Sequence, residues 1–376
     1  MSDMNATNSP EKGRSFVQMI YRFFASAKLA MVLLVVILGC CLAGATMFSY
    51  ERASELIFYS LWFNGLLVLL VINVAACFFG RIWGRKITVI SFGMIVFHLS
   101  FVGLFLGVVY NSLFYFRGEM RITEGETLVN SRKDSYVAGE MGRLFKLSWL
   151  KGETTLNKVY SQYKVEGVNK RYAYELTVGD QKSASHGIIY ATRNLDHHGT
   201  GYYCDREGYS VLAVLSDRNG REIYGAHIPL QSLKEKPADT DFYYTTGSRT
   251  AAGTLPFPQE ELKPLYDLQM RYYPASNNDR GGEVYFRIWP YADTDAPKSG
   301  EPFATGRAPV NGNFAFGDHV ISPREIRYWV GINVKFEPGK PLVMAFLWLG
   351  LGGLIITFMG RMLKPSPGVK GDRVEK

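Results

Sequence analysis

His98 is the residue best placed to do chemistry in this sequence. It lies in the run Ile87–Tyr110, which contains no Lys, Arg, Asp or Glu. If that run is a helix crossing a bilayer, the ~11 residues from Ile87 carry the imidazole ~17 Å inward, near the midplane of a ~30 Å hydrocarbon core. A polar side chain at that depth is costly and faces a partner or a cavity. Two chemistries fit. A neutral imidazole nitrogen can be an axial ligand to a haem or to another metal. Alternatively, the ring can hydrogen-bond across helices to Asn64 or Asn73. Residue type and depth leave both open.

Helical geometry gives His98 a face. At ~100° per residue, Ser91, Met94, Ile95, Val102 and Phe105 flank it, whereas Gly103 and Gly107 fall ~140–180° away. The Gly-x-x-x-Gly side can pack closely against a sister helix. The His98 side then stays free for a flat, apolar ligand.

The other candidates carry less. His197 and His198 sit in the turn-like run Asp196-His197-His198-Gly199-Thr200-Gly201 and read as a solvated turn. His186, His227 and His319 are isolated. Cys204 is the only cysteine between Tyr115 and Lys340, so no disulfide can form within that segment. The absence of Cys-x-x-Cys argues against a thiol–disulfide oxidoreductase. Cys40, Cys41 and Cys77 read as small buried hydrophobes. Neither a Walker sequence nor a Gly-x-Ser-x-Gly elbow occurs, so no catalytic residue is assigned.

Four apolar runs are long enough to position these groups in a membrane: Leu29–Ser49, Leu56–Phe79, Ile87–Tyr110 (extending toward Phe114) and Leu342–Met359. All four lack Lys, Arg, Asp and Glu, whereas a soluble helix of that length carries charges on its wet face. Ile37-Leu38-Gly39-Cys40 resembles a lipoprotein cleavage box, but Cys40 lies mid-span and the span is expected to be retained. The basic residues cluster at alternate ends. The segment before the first run has net charge +2, the loop 80–86 has +3, and the tail after the fourth run has +3; together these equal the formal +8 of the 376-residue chain. This is the positive-inside pattern. It places the N-terminal segment 1–28 and the tail 361–376 in the cytoplasm, three spans in 29–114, a large segment 115–340 outside the membrane, and a fourth span in 341–360. The basic balance is thus a topology signal. It is no nucleic-acid footprint, since no Lys/Arg patch with interleaved aromatics stands out along the outer segment.

That segment reads as β structure. Tyr172, Tyr174, Leu176 and Val178 alternate, as do Leu268, Met270 and Tyr272, and again Val330, Ile332, Val334 and Phe336. Val284–Trp289 reads as a fully buried strand. Turns are expected at Asp217–Gly220 and Asn278–Gly282. Residues 231–263, richer in Pro, Thr, Lys and Glu, read as a loop between two lobes. The expected fold is a multi-pass membrane protein with four transmembrane helices and a large β-rich extracytoplasmic domain, sandwich or barrel-like.

Three spans, a β-rich outer domain and one closing span resemble the ResB-like (CcsB-like) family of system II cytochrome c biogenesis. The resemblance rests on Ser26–Ala30, Leu61–Leu67 with Asn73–Cys77, Gly93–Leu99 with its histidine, Gly118–Glu126, and Val330–Val343. Gly44-Ala45-Thr46-Met47 departs from the Gly-Thr…Pro-Gln ending of the family's first span. The resemblance implies a non-catalytic subunit of a haem-attachment complex in the inner membrane. Such a subunit would convey haem across the bilayer with a CcsA-like partner, for covalent attachment to apocytochrome c. His98 would carry over as an axial ligand to haem b, the second ligand coming from the partner. The partner's Trp-rich haem-binding loop is absent from this sequence. Two rival readings stand beside it: a tethered β module with a structural or sensory role and no haem, and a b-type haem electron-transfer subunit. The latter would need two histidines at membrane depth, and His98 is the only one there.

Overall fold

The computed structural model describes residues 16–82, 87–170, 172–180, 182–233, 241–245, 252–259, 263–275, 280–292 and 300–363. Lys12, Arg14, Arg85, Lys86 and the basic residues from Lys364 onward lie outside these, as do Asn278, Asp279 and much of 231–263. The chain divides into two compact units: 1–116 with 141–145 and 337–376, and 117–140 with 146–336.

The first unit is helical. Its elements are α1 (Phe16–Phe24), α2 (Ala27–Thr46), the short α3 (Tyr50–Ala53) continued by a wide turn Ser54–Phe58, α4 (Leu61–Ile82), α5 (Val89–Phe114) and α6 (Lys340–Met362). Helices α2, α4, α5 and α6 are each long and apolar enough to cross a membrane. In hydrocarbon a backbone must satisfy its own hydrogen bonds, and a continuous helix does so. The second run differs from expectation at its start. Leu56 belongs to the wide turn, in which Tyr59 N–H donates to the Ser54 carbonyl, and Ser60 opens α4 by accepting from Phe63 N–H at 3.4 Å. Hydropathy alone does not register that break. Helix α1 was not foreseen; Phe16, Met19, Ile20 and Phe23 are exposed along it.

Glycines pack α5 against α6. Gly93, Gly103 and Gly107 on α5 and Gly350 and Gly353 on α6 are buried. A Cβ on Gly353 would sit 2.7 Å from Phe97 N, and one on Gly93 would sit 2.7 Å from Gly353 O. Backbones this close tolerate no side chain, whereas on the Gly103 and Gly107 side of α5 the Phe346 and Val343 side chains of α6 fill the space. At the end of the pair, Gly339 N–H donates to Asn111 Oδ1 at 3.1 Å.

The second unit is antiparallel β structure. Its larger sheet has twelve strands and runs as an open path from Ala304–Pro309 to Ala138–Met141. A four-stranded sheet contains Tyr172–Asp180. The sheets meet through Tyr174, whose hydroxyl donates to Glu207 at 2.9 Å, and through the ring pair Tyr172–Tyr328. The spine is a pair of eighteen-residue strands, Thr200–Asp217 and His319–Phe336. Each bends at register shifts, between Cys204 and Arg206 and between Leu212 and Ala213.

The alternating faces fall where period two puts them. Leu176, Val178, Leu268, Met270, Tyr272, Val330, Ile332 and Val334 are all buried. Val284–Trp289 corrects the expectation of a fully buried strand: Val284, Phe286 and Ile288 are buried, whereas Arg287 is exposed. Only one face of Gly282–Pro290 meets the core. The turn at Asp217–Gly220 is present, with Gly220 at φ +81°, a conformation glycine adopts without strain.

Candidate cofactor site

The site lies within the helical unit. Thr88 starts α5 with a reciprocal cap: its Oγ1 accepts from Ser91 N–H at 3.2 Å, and Ser91 Oγ accepts from Thr88 N–H at 2.7 Å. Ten residues on, His98 lines a groove of about 710 Å³ bounded by parts of α2, α4 and α5. Ala30, Leu34, Leu70, Val74, Met94, Phe101 and Phe105 form apolar walls, and no described lining residue is Asp, Glu, Lys or Arg. That volume falls within the ~300–1,000 Å³ usual for small-molecule and cofactor sites. Of the residues read as flanking the histidine, Ser91, Met94, Ile95 and Phe105 line the groove, and Val102 does not.

The imidazole is held in one orientation. Its Nδ1 lies 2.7 Å from the Met94 carbonyl, which can only accept, so Nδ1 carries the proton. Phe78 stacks on the ring at 4.9 Å between centroids, and Phe97 meets it edge-on at 5.6 Å. Nε2 has no hydrogen-bond partner among the described residues, and in the neutral ring it is the nitrogen that bears the lone pair. Fixing a histidine tautomer through a carbonyl bond at the other nitrogen is how proteins orient imidazole toward a metal.

The two asparagines do not hold His98. Asn64 Nδ2 donates to Ser112 Oγ at 2.8 Å and to the Ser60 carbonyl at 2.8 Å, tying α4 to α5. Asn73 Nδ2 donates to the carbonyls of Phe24 at 2.6 Å and Ser26 at 3.0 Å, tying α4 to the α1–α2 junction. The hydrogen-bonding alternative for His98 is corrected accordingly: its bond is to its own helix. Asn73 and Cys77, one turn apart on α4, both line the groove. Asn73 Oδ1 is buried without a hydrogen-bond partner.

The remaining candidates sit apart in the β unit. His197 and His198 lie 4.3 Å apart at a turn and bond Ser185 and Ser183 at 2.9 and 2.8 Å. Burial, reinforced by His198, lowers the His197 pKa. His186 bonds Thr177, His227 bonds Ser210, and His319 bonds Tyr266. Among the described residues no three of His, Cys, Asp and Glu converge to hold a metal. Burial, with Glu207 nearby, pushes the Cys204 thiol up to about 12. At pH 8 its thiolate fraction is then about one in ten thousand. Peptide mass spectrometry after brief alkylation at pH 8 should find Cys204 unmodified in the folded chain and modified in urea; rapid labelling of the folded chain would contradict this environment.

One feature escaped the sequence reading. A basic patch with interleaved aromatics does exist, on one face of the larger sheet, where Arg271, Arg287 and Arg307 meet Tyr243, Tyr273 and Tyr285. Its members come from four strands that only pairing brings together, so no window of sequence contains it.

Comparison with known proteins bears on the segment that carries the groove's histidine. Residues 84–203 match the ResB-like family. The match covers under half of the chain and supports involvement in cytochrome c biogenesis. The match begins just before α5 and runs through its whole length into the β unit. No curated protein matches the chain. Among solved structures, the cytochrome c heme lyase CcmF is similar at 13% identity over 88% of this chain, with a TM-score of 0.25. A likeness that slight carries no argument, and this chain spans only 34% of that protein's length.

Proposed function

We propose that this ResB-like protein binds haem b in the groove beside α5, with His98 Nε2 as an axial ligand, and conveys it across the membrane for attachment to apocytochrome c. The observation that carries this reading is the tautomer: the Met94 carbonyl occupies Nδ1 and leaves Nε2 unclaimed at the edge of an apolar groove. Haem is a broad apolar plate with an iron that takes axial nitrogen ligands. The apolar walls exclude water, and Phe78 keeps the imidazole plane from turning. The chain's other five histidines all lie in the β unit, so the helical unit supplies one axial ligand and a CcsA-like partner the other. That single ligand also weighs against a self-contained b-type electron carrier. The chain then works as a non-catalytic subunit, with the covalent step at the partner's site and the β unit outside the membrane.

The orientation has its own test. Alkaline phosphatase fused after Gly220 should be active, and fused after Gly84 inactive. The reverse pattern would place the β unit in the cytoplasm and remove apocytochrome c from its reach.

A further inference from the structure

An arginine–tyrosine face lies on the larger sheet, apart from the histidine groove. Strand register builds it. Tyr243 pairs with Arg271, Arg271 with Tyr285, and Tyr285 with Arg307, giving one row across four neighbouring strands. Residues directly opposite on paired strands point to the same side of a sheet. Arg287 and Tyr273 lie two residues along their strands from this row and share its face. The opposite face carries the core residues Met270, Tyr272, Phe286 and Ala308.

The tyrosines hold the guanidiniums. Arg271 lies over Tyr243 at 4.8 Å and over Tyr273 at 4.7 Å, and Arg307 lies over Tyr273 and Tyr285 at 5.8 Å each. Stacking of this kind fixes the plane of a guanidinium and leaves its N–H edge for a ligand. Compensation is incomplete. Arg271 is paired with Asp241, and Arg307 approaches Glu283 only to 3.9 Å. Arg287 has no carboxylate partner among the described residues, and none of the described residues lining the groove is acidic. The groove measures about 320 Å³, the size of a small molecule.

We infer that this groove binds a small organic polyanion, one carrying two or more carboxylate or phosphate groups. Arg271 and Arg307 stand two strand spacings apart, roughly 10 Å, with Arg287 on the strand between them. A molecule with several anionic groups can engage the forks of more than one of these arginines at once.

Calorimetric titration of the full chain in uncharged phosphatidylcholine nanodiscs, with citrate and with pyrophosphate, tests this. Saturable, salt-sensitive binding of at least one is expected, weakened about tenfold or more in Arg287→Gln and in Arg307→Gln. Citrate alone binding identifies a polycarboxylate, and pyrophosphate alone a phosphorylated ligand; either outcome supports the site. Circular dichroism should show both variants folded, since these side chains are exposed. Binding should persist in His98→Gly, which separates this site from the haem reading. Failure of both probes to saturate, unchanged affinity in Arg287→Gln, or tighter binding of a short single-stranded oligonucleotide than of either small anion would overturn the inference.

Discussion

His98→Gly should lose its haem and regain it with added imidazole. The wild-type chain, purified with its partner, is expected to show a b-type absorption spectrum. In the glycine variant that signal should fall at least ~tenfold, because loss of an outer-shell partner alone typically costs 10–100-fold in metal affinity and loss of the ligand itself should cost no less. Removing the ring leaves a slot beside Phe78, opening on the groove. Free imidazole fits that slot and can present the same nitrogen, so millimolar imidazole should restore much of the signal. His98→Ala should lose haem likewise. Normal haem loading and normal cytochrome c maturation in both variants would falsify the ligand assignment. Loss without rescue would point to a packing role for the ring.

Two neighbouring glycines on α6 should respond very differently to the same substitution. Gly353→Leu forces a side chain into backbone, since a Cβ there lies 2.7 Å from Phe97 N and 2.9 Å from Gly93 O. Neither atom can withdraw without bending α5. Overpacking of this kind costs about 1–3 kcal/mol and sometimes more, which lowers a thermal midpoint by something on the order of 5 °C. A Cβ on Gly352 meets nothing within 4 Å, so Gly352→Leu adds a side chain in open space. Thermal unfolding of the detergent-purified chain should show a clear drop for the first and almost none for the second. Phe97 precedes His98, so Gly353→Leu should also reduce haem retention. Equal midpoints would show that α5 and α6 do not pack through these glycines.

The parts of this protein governed by a single periodicity were legible in its sequence. The four long helices follow from apolar length, because a membrane-spanning backbone has no alternative to internal hydrogen bonding. The glycine face of α5 followed from the 3.6-residue repeat, and the buried positions of the strands through Leu268 and Val330 followed from period two. What escaped depends on pairing between distant segments. The start of α4 is set by the Ser54–Tyr59 turn and by Ser60, features that hydropathy does not weigh. Arg287 was read as part of a buried run because its neighbours are apolar, yet the pleat turns it outward. The tyrosine–arginine face needed the register of four strands.

At the site itself, the sequence placed His98 at depth and left its companion open between a metal and an amide. The choice depends on which nitrogen is free. The bond from Nδ1 to a carbonyl one turn earlier in the same helix removes the amide, because it satisfies the ring without recruiting Asn64 or Asn73; the metal is what we propose. Each asparagine is engaged elsewhere, where it ties helices together. The groove is therefore framed by polar residues that serve the scaffold, with His98 Nε2 and the buried Asn73 Oδ1 left without partners among the described residues.

The most direct measurement is an electron cryomicroscopy map of the full chain co-purified with its CcsA-like partner and haem. The account predicts porphyrin density in the α5 groove, with His98 Nε2 bonded to the iron on one face and a nitrogen from the partner on the other. A map with lipid tails filling that groove and haem bound elsewhere, no atom of His98 near its iron, would contradict it.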